Sequence, residues 1–111
     1  YGDEAFIQEN LNPDLVFLGL AYPNPSAGKV HIPVSLPEAS EEYHTELVIF
    51  SGDGRMIDQV TSQAVPGGFH TFTWDRTNEA GKRLPAGLYL YQLRVRKGEE
   101  VWQETKRLIL K

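Results

Sequence analysis

Residues 88–96, LYLYQLRVR, contain the alternation that decides the fold. Tyr89, Tyr91, Leu93 and Val95 fall on one face of an extended chain, and the glutamine and arginines fall on the other. Successive side chains of a β-strand point to opposite faces, so this spacing predicts a strand with one buried face and one solvated face.

The same period-two pattern recurs along the chain, whereas helical periodicity is nearly absent. Residues 30–36 alternate in the same way, and Pro33 within them indicates an edge strand or a bulge because proline cannot donate to the ladder. Residues 47–50 are apolar on both faces, which predicts a central strand. The predicted strands are 17–21, 30–36, 47–50, 56–62, 69–74, 88–96 and 101–110.

Turns rich in glycine, proline and asparagine separate these runs at fairly regular spacing. About seven short strands in this arrangement are typical of an all-β antiparallel β-sandwich. Packing the apolar faces of two sheets together would bury a single core. The residues expected in that core are Val30, Ile32, Val48, Phe50, Phe72, Trp74, Tyr89 and Leu93.

The composition is that of an ordinary globular domain, with 41% hydrophobic and 23% charged residues in 111. This length leaves room for one domain. No run approaches the ~18 apolar residues that cross a bilayer. The absence of cysteine excludes disulfides, thiolate zinc sites and a cysteine nucleophile. The chain begins with Tyr1 instead of methionine, which indicates a fragment of a longer protein.

Charge is distributed unevenly along the chain. Residues 1–55 carry nine acidic and two basic residues, whereas residues 56–111 carry six acidic and nine basic residues. The net charge of −4 argues against a general nucleic-acid binder. Residues 1–14 are polar and acidic, which predicts a linker from an upstream passenger domain, with the sandwich occupying residues 15–111.

Candidate sites for metals and catalysis are weak. His31, His44 and His70 have no short ligand spacing, so no metal site is predicted. Residues 51–55, SGDGR, contain too few oxygen ligands for calcium and predict a tight hairpin turn. The cluster of Asp75, Asn78 and Glu79 is typical of a loop that follows a strand. No serine lies in a nucleophile elbow, so we expect no catalytic residue, no cofactor and no enzyme activity.

Four phrases resemble the C-terminal sorting domain (type A) of the type IX secretion system of Bacteroidetes. They are residues 22–26 (YPNPS), 47–57 (LVIFSGDGRMI), 85–89 (PAGLY) and 106–111 (KRLILK), in that order. The positions that carry the resemblance are Pro23, Asn24, Pro25, Gly54, Arg55, Gly87 and Tyr89, and the sorting-signal tail comprises Lys106, Arg107, Leu108, Ile109, Leu110 and Lys111.

The resemblance implies an immunoglobulin-like sandwich that acts as an address label. Such a domain directs a folded cargo through the outer-membrane translocon, from the periplasm to the cell surface or the medium. A surface sortase would cut between residues 1 and 20 and attach the passenger to anionic lipopolysaccharide. The exposed edge of the terminal strand could pair with a receptor's sheet, or with a second copy to form a homodimer.

Two further interpretations stay open. Residues 68–75 together with 81–89 are also similar to the immunoglobulin-like domain of flagellar hook-capping proteins, which would make the chain a structural assembly module. Trp102 and Tyr43 are the main aromatic residues expected at the surface, and they could instead form the stacking platform of a carbohydrate-binding module.

Overall fold

The computed structural model describes residues 16–111, which form seven strands in two antiparallel sheets. The predicted β-sandwich is therefore confirmed, and the predicted linker, residues 1–14, lies outside the described residues. The strands are β1 (Phe17–Leu18), β2 (Val30–Leu36), β3 (Tyr43–Ser51), β4 (Met56–Val65), β5 (Gly68–Trp74), β6 (Gly87–Lys97) and β7 (Glu100–Leu110).

The two sheets differ in size. One has the strand order β1-β2-β5 and the other the order β4-β3-β6-β7. The longest strands, β6 and β7, pair without interruption from Gly87 opposite Leu110 to Lys97 opposite Glu100. This pairing leaves β7 as the edge strand of the larger sheet. From residue 16 onward, no helix has the length and apolarity needed to span a bilayer.

The core lies between the inner faces of the two sheets. In β6 the predicted inward residues Tyr89, Tyr91, Leu93 and Val95 are all buried, which confirms the alternation of residues 88–96. Burial of each large side chain stabilises the fold by about 1.5–3 kcal/mol before the entropy of ordering is subtracted. Of the predicted core, Val30, Ile32, Trp74, Tyr89 and Leu93 are buried in this cluster.

Val48 is buried as predicted (7% exposed), but it lies on the outer face of its sheet, and the predicted core position of Phe50 is wrong. The strand that contains them begins at Tyr43, and its inward residues are Tyr43, Thr45, Leu47 and Ile49. Residues 48 and 50 therefore point to the outer face, where Phe50 is only half-buried, opposite Met56 on β4 and Leu90 on β6. Phe72 is also half-buried, although it packs against the core.

Pro33 lies in a middle strand, contrary to the simple expectation of an edge. Its carbonyl accepts a hydrogen bond from the amide of Gly19 (2.8 Å), beyond the two-residue ladder of β1. The missing proline N–H would point to this same side, toward the carbonyl oxygen of Gly19, which accepts a hydrogen bond from the Tyr91 hydroxyl instead. A Cβ on Gly19 would lie 2.6 Å from the Pro33 ring, so the approach requires glycine.

Tyr91 ties the first described segment to the larger sheet. Its buried hydroxyl donates to the carbonyl oxygen of Gly19 (3.0 Å) and accepts from the amide of Ala21 (2.9 Å). Desolvation by burial raises the pKa of the Tyr91 phenol above its ordinary value, so the neutral donor form is favoured. One hydroxyl thus satisfies two main-chain groups that β1 leaves without partners.

We expect Tyr91→Phe to lower the free energy of unfolding by about 1–3 kcal/mol, because it leaves two buried main-chain groups unsatisfied. Urea denaturation would measure the loss. Tyr89→Phe is the matched control, since the Tyr89 hydroxyl makes one bond, to Pro85 O, in a less buried place. An equal or smaller loss in Tyr91→Phe would contradict the role given to its hydroxyl.

Candidate functional site

The four sequence phrases meet at one end of the sandwich. Ser51, at the start of the β3–β4 turn, lies opposite Tyr89, and Gly87 lies opposite Leu110. Ser26, just after the prolines, forms a parallel bridge with Leu110. Segments separated by as many as eighty residues therefore build one surface, which we call the motif end.

Residues 24–26 close the outer edge of β7 at the motif end. The Asn24 side chain accepts a hydrogen bond from the amide of Ile109 at Oδ1 (3.0 Å), and its Nδ2 donates to Arg107 O (3.4 Å). Ser26 N donates to Ile109 O (3.0 Å), and Lys111 N donates to Ser26 O (2.8 Å). The peptide bonds preceding both Pro23 and Pro25 are cis. The Pro-Asn-Pro phrase therefore holds the tail directly.

Ser26 is the buried support of this contact. Its side chain has no exposed surface, and its Oγ accepts from Gly28 N (3.2 Å). The same oxygen lies 3.1 Å from the carbonyl oxygens of Gly28 and Lys29, either of which can accept its proton. The serine thus fixes the loop that carries the main chain to β2.

Arg76 holds the far end of the tail. Its guanidinium donates from Nε to Leu84 O (3.0 Å), and from Nη1 to Ala27 O (3.0 Å) and Lys111 O (2.7 Å). The residue is 3% exposed and has a φ of +66°, which is uncommon for a side chain with a Cβ. Sequence reasoning missed Arg76, because an arginine that follows a strand carries no signal of burial.

The tail itself divides into two faces. Leu108 and Leu110 are buried in the core, whereas Arg107, Ile109 and Lys111 are exposed. The sixth residue, Lys106, lies on the inner side at the sheet edge, with its Nζ 3.3 Å from Glu104 Oε2. Half of the predicted tail therefore stabilises the fold, and the other half is available for contact.

Two of the other motif positions, Tyr89 and Gly54, also have structural roles. Tyr89 is buried, donates its hydroxyl proton to Pro85 O (2.8 Å) and packs edge-on against Trp74. Gly54 has a φ of +92° in the β3–β4 turn, a conformation that favours glycine. Pro23, Pro25, Arg55 and Gly87 are exposed.

The exposed part of the motif end is apolar with a basic margin. Leu20, Leu88 and Ile109 are 74%, 44% and 40% exposed. Together with Asn24, Thr105, Lys106 and Arg107 they line an open hollow of about 530 Å³. We call Leu20, Leu88, Ile109 and the two basic side chains the tail surface. Apolar side chains grouped in this way are characteristic of contact with another macromolecule.

The turn at residues 51–55 is closed by its own side chains. Ser51 Oγ donates to Asp53 Oδ1 and also accepts from the amide of Arg55 (3.1 Å). The hydrogen bond from Ser51 is the largest reason why the pKa of Asp53 lies below its ordinary value. Ser51 Oγ and Asp53 Oδ1 thus make their hydrogen bonds within the turn. Asn78 Oδ1 similarly accepts two amides of its own loop, from Ala80 and Lys82.

Each of the three histidines contacts a different partner. His31 Nδ1 is 3.1 Å from Thr73 Oγ1, His70 Nε2 is 2.8 Å from Pro66 O, and His44 Nε2 is 3.6 Å from Glu46 Oε2. Among residues 16–111 no group of three or more histidine, aspartate or glutamate side chains could hold a metal ion.

Trp102 and Tyr43 line a second hollow, of about 390 Å³, at the opposite end of the sandwich. Tyr43 is nevertheless buried, and the Lys97 ammonium lies 5.5 Å from the centre of its ring. Only Trp102, which is half-buried, could offer part of an aromatic face to a ligand. The expected two-ring platform is therefore incomplete.

The sequence matches the model of one known protein family. The model of the FlgD Ig-like domain matches residues 23–99. The chain belongs to the FlgD Ig-like domain family. The second resemblance found in the sequence is therefore confirmed at the level of the family. The match ends before β7 begins, so the tail lies outside the matched residues. No curated protein matches the chain.

Solved structures share the fold of this FlgD Ig-like domain at low identity. Dimeric latent PorU from Porphyromonas gingivalis matches with a TM-score of 0.74 and 18% identity over 94% of this chain and 10% of that chain. FlgD from P. aeruginosa matches with a TM-score of 0.57 and 15% identity over 89% of this chain and 65% of that chain. FlgD from Xanthomonas campestris, whose structure concerns the hook capping that is essential for flagellar assembly, matches with a TM-score of 0.56 and 19% identity. The match covers 85% of this chain and 64% of that chain. The chain thus spans a tenth of PorU and just under two thirds of each FlgD chain.

We expect Asn24→Ala to loosen the end of β7 without unfolding the sandwich. The change removes one acceptor and one donor from an exposed edge, which should cost about 0.5–1.5 kcal/mol. Hydrogen exchange of the Ile109 amide should become faster, while that of Leu93 in the core should not. Asn24→Asp is the matched variant, since it keeps the acceptor for Ile109 and loses only the donor to Arg107. Unchanged exchange at Ile109 in Asn24→Ala would contradict the closure.

We expect Arg76→Met to destabilise the domain by about 2–4 kcal/mol, because the carbonyl oxygens of Leu84 and Lys111 lose this donor and that of Ala27 keeps only Arg83. Arg76→Lys should recover only part of this loss, since an ammonium cannot reproduce the fork of the guanidinium. Thermal or urea unfolding would compare the two variants. Arg83→Met serves as the control, because Arg83 is exposed and makes one bond, to Ala27 O (2.7 Å). Equal effects of Arg76→Met and Arg83→Met would contradict the role of Arg76.

Proposed function

We propose that the domain is a C-terminal sorting signal that directs a folded passenger through the type IX translocon. The observation that carries this proposal is the convergence of the four phrases at the motif end. Asn24 and Ser26 hold the tail main chain in one conformation, so Arg107 and Ile109 are displayed at fixed positions. A ligand that is already rigid loses less entropy on binding, which suits a short recognition sequence.

The course of the chain also supports this role. Val16, the first described residue, lines the hollow at the opposite end from the tail surface. A passenger joined ahead of residue 16 would enter beside the start of β7, whereas the exposed side chains of Arg107 and Ile109 lie near its end.

In this proposal the partners are the type IX machinery, which reads the tail surface, and the surface sortase, which cuts between residues 1 and 20. The passenger is then attached to anionic lipopolysaccharide or released. The domain passes through the periplasm to the cell surface, and it has neither a catalytic residue nor a cofactor. Homodimer formation through the outer edge of β7 stays a prediction.

The family favours a second candidate. A FlgD Ig-like domain can serve as a structural assembly module, and the match over residues 23–99 supports this reading without involving the tail. The two candidates differ in what they require of β7. The sorting proposal needs the exposed tail side chains, whereas the assembly proposal needs only the sandwich.

A reporter experiment distinguishes these candidates. A fluorescent protein with its own signal peptide is fused ahead of residues 1–111 and expressed in a Bacteroidetes strain with and without its type IX translocon. We expect delivery to the surface or medium only when the translocon is present, with mass spectrometry locating the cut. Periplasmic retention in both strains would overturn the sorting proposal and favour an assembly or carbohydrate-binding module.

Variants then test whether the tail surface is what is read. Leu88→Asp and Ile109→Asp each place a carboxylate among exposed apolar side chains and should reduce export at least tenfold. The matched control is Phe69→Asp on β5, where the side chain is 90% exposed and remote from the tail. Thermal unfolding of each purified domain checks that the fold survives. Equal export by all three variants would contradict recognition at the tail surface.

A further inference from the structure

The outer edge of β7 is open along most of its length. Ile109 turns both its amide and its carbonyl away from β6, toward Asn24 and Ser26. Main-chain groups of alternate residues in an antiparallel pair point the same way, so those of Val101, Gln103 and Thr105 also point outward. Within the described residues, these outward groups have no hydrogen-bond partner.

This edge is also long and regular. The pairing of β6 with β7 has no bulge over its eleven pairs. An unpaired, regular edge strand is a template on which another strand can add. Inward-pointing charges often protect such edges, and Glu104 and Lys106 occupy inward positions here. They have opposite charges, however, so they do not exclude every partner.

The charges along the edge favour a copy of the same strand. Residues 99–107 are EEVWQETKR, which begin with two acidic residues and end with two basic ones. A second β7 that runs antiparallel would place its acidic end beside the basic end of the first. The strand is therefore complementary to itself in charge, and complementarity of this kind selects partner and register.

We propose that two copies of the domain pair antiparallel along β7, with Gln103 of one copy opposite Gln103 of the other. In this register Lys106 lies opposite Glu100 of the second copy, and Arg107 lies near Glu99 of the second copy. Val101 lies opposite Thr105. The outward groups of residues 101, 103 and 105 all find partners, and the two four-stranded sheets join into one continuous sheet. The arrangement has two-fold symmetry and is closed.

Neighbouring registers are less favourable. Centring the pair on residue 104 would set Glu104 opposite Glu104, a like-charge contact that destabilises a sheet. Centring it on Thr105 would bring Val101 of the second copy against Ile109, whose outward groups are already bonded to Asn24 and Ser26. Centring it on Trp102 would set Glu100 opposite Glu104, again a like-charge contact, so Gln103 is favoured as the centre. This inference does not depend on the sorting function.

Single cysteines test both the dimer and its register, since the chain has no cysteine of its own. Residues opposite each other in a hydrogen-bonded pair have Cα atoms about 5.5 Å apart, a distance that a disulfide spans. Under mild oxidation, Gln103→Cys should form a covalent dimer quickly. Val101→Cys and Thr105→Cys should each link slowly alone and quickly when mixed. Faster self-linking by Thr105→Cys than by Gln103→Cys would overturn the register.

Sedimentation of the cysteine-free chain tests the association itself. We expect a reversible monomer–dimer equilibrium that weakens as the salt concentration rises. Glu100→Lys should weaken the dimer at least tenfold by facing Lys106, and adding Lys106→Glu should restore it. Thermal unfolding verifies that each variant is folded. A chain that stays monomeric at every concentration would overturn the proposal, as would a dimer indifferent to Glu100→Lys.

Discussion

The closure of β7 by residues 24–26 is the contact on which the motif end depends. Four hydrogen bonds to Asn24 and Ser26 fix the main chain from Arg107 to Lys111. The closure also sets the strand's two functional regions apart. Beyond residue 107 the main chain of the edge is bonded to Asn24 and Ser26, so only the side chains can contact a partner there. Before residue 107 the edge is open, so the main chain itself is available.

The residues that carry the resemblance to sorting domains and those that a partner could contact are largely different. Tyr89, Leu108 and Leu110 resemble a sorting signal in sequence, yet all three are buried. Their spacing reflects the needs of the sandwich. Recognition by a partner would have to rely on the exposed residues between them, above all Arg107 and Ile109.

Alternation, together with short apolar runs between turn residues, was sufficient to predict all seven strands, and alternation alone predicted the inward face of β6. It failed at Val48 and Phe50, because a strand that is apolar on both faces does not reveal which face is inward. The meeting of the phrases at one end follows from hairpin geometry, but the Asn24 contacts depend on loop conformation. The burial of Arg76 could not be predicted from the sequence, since it depends on three carbonyl groups contributed by other segments.

The contacts of Arg76 have a consequence for sequence change. All three acceptors of its guanidinium are main-chain oxygens, at Ala27, Leu84 and Lys111. Side chains at these positions could be exchanged without altering the acceptors, provided that the backbone keeps its course. The arginine itself has no such freedom. This three-acceptor contact is therefore specified by a single side chain, and the side chains of the acceptor residues are free to change.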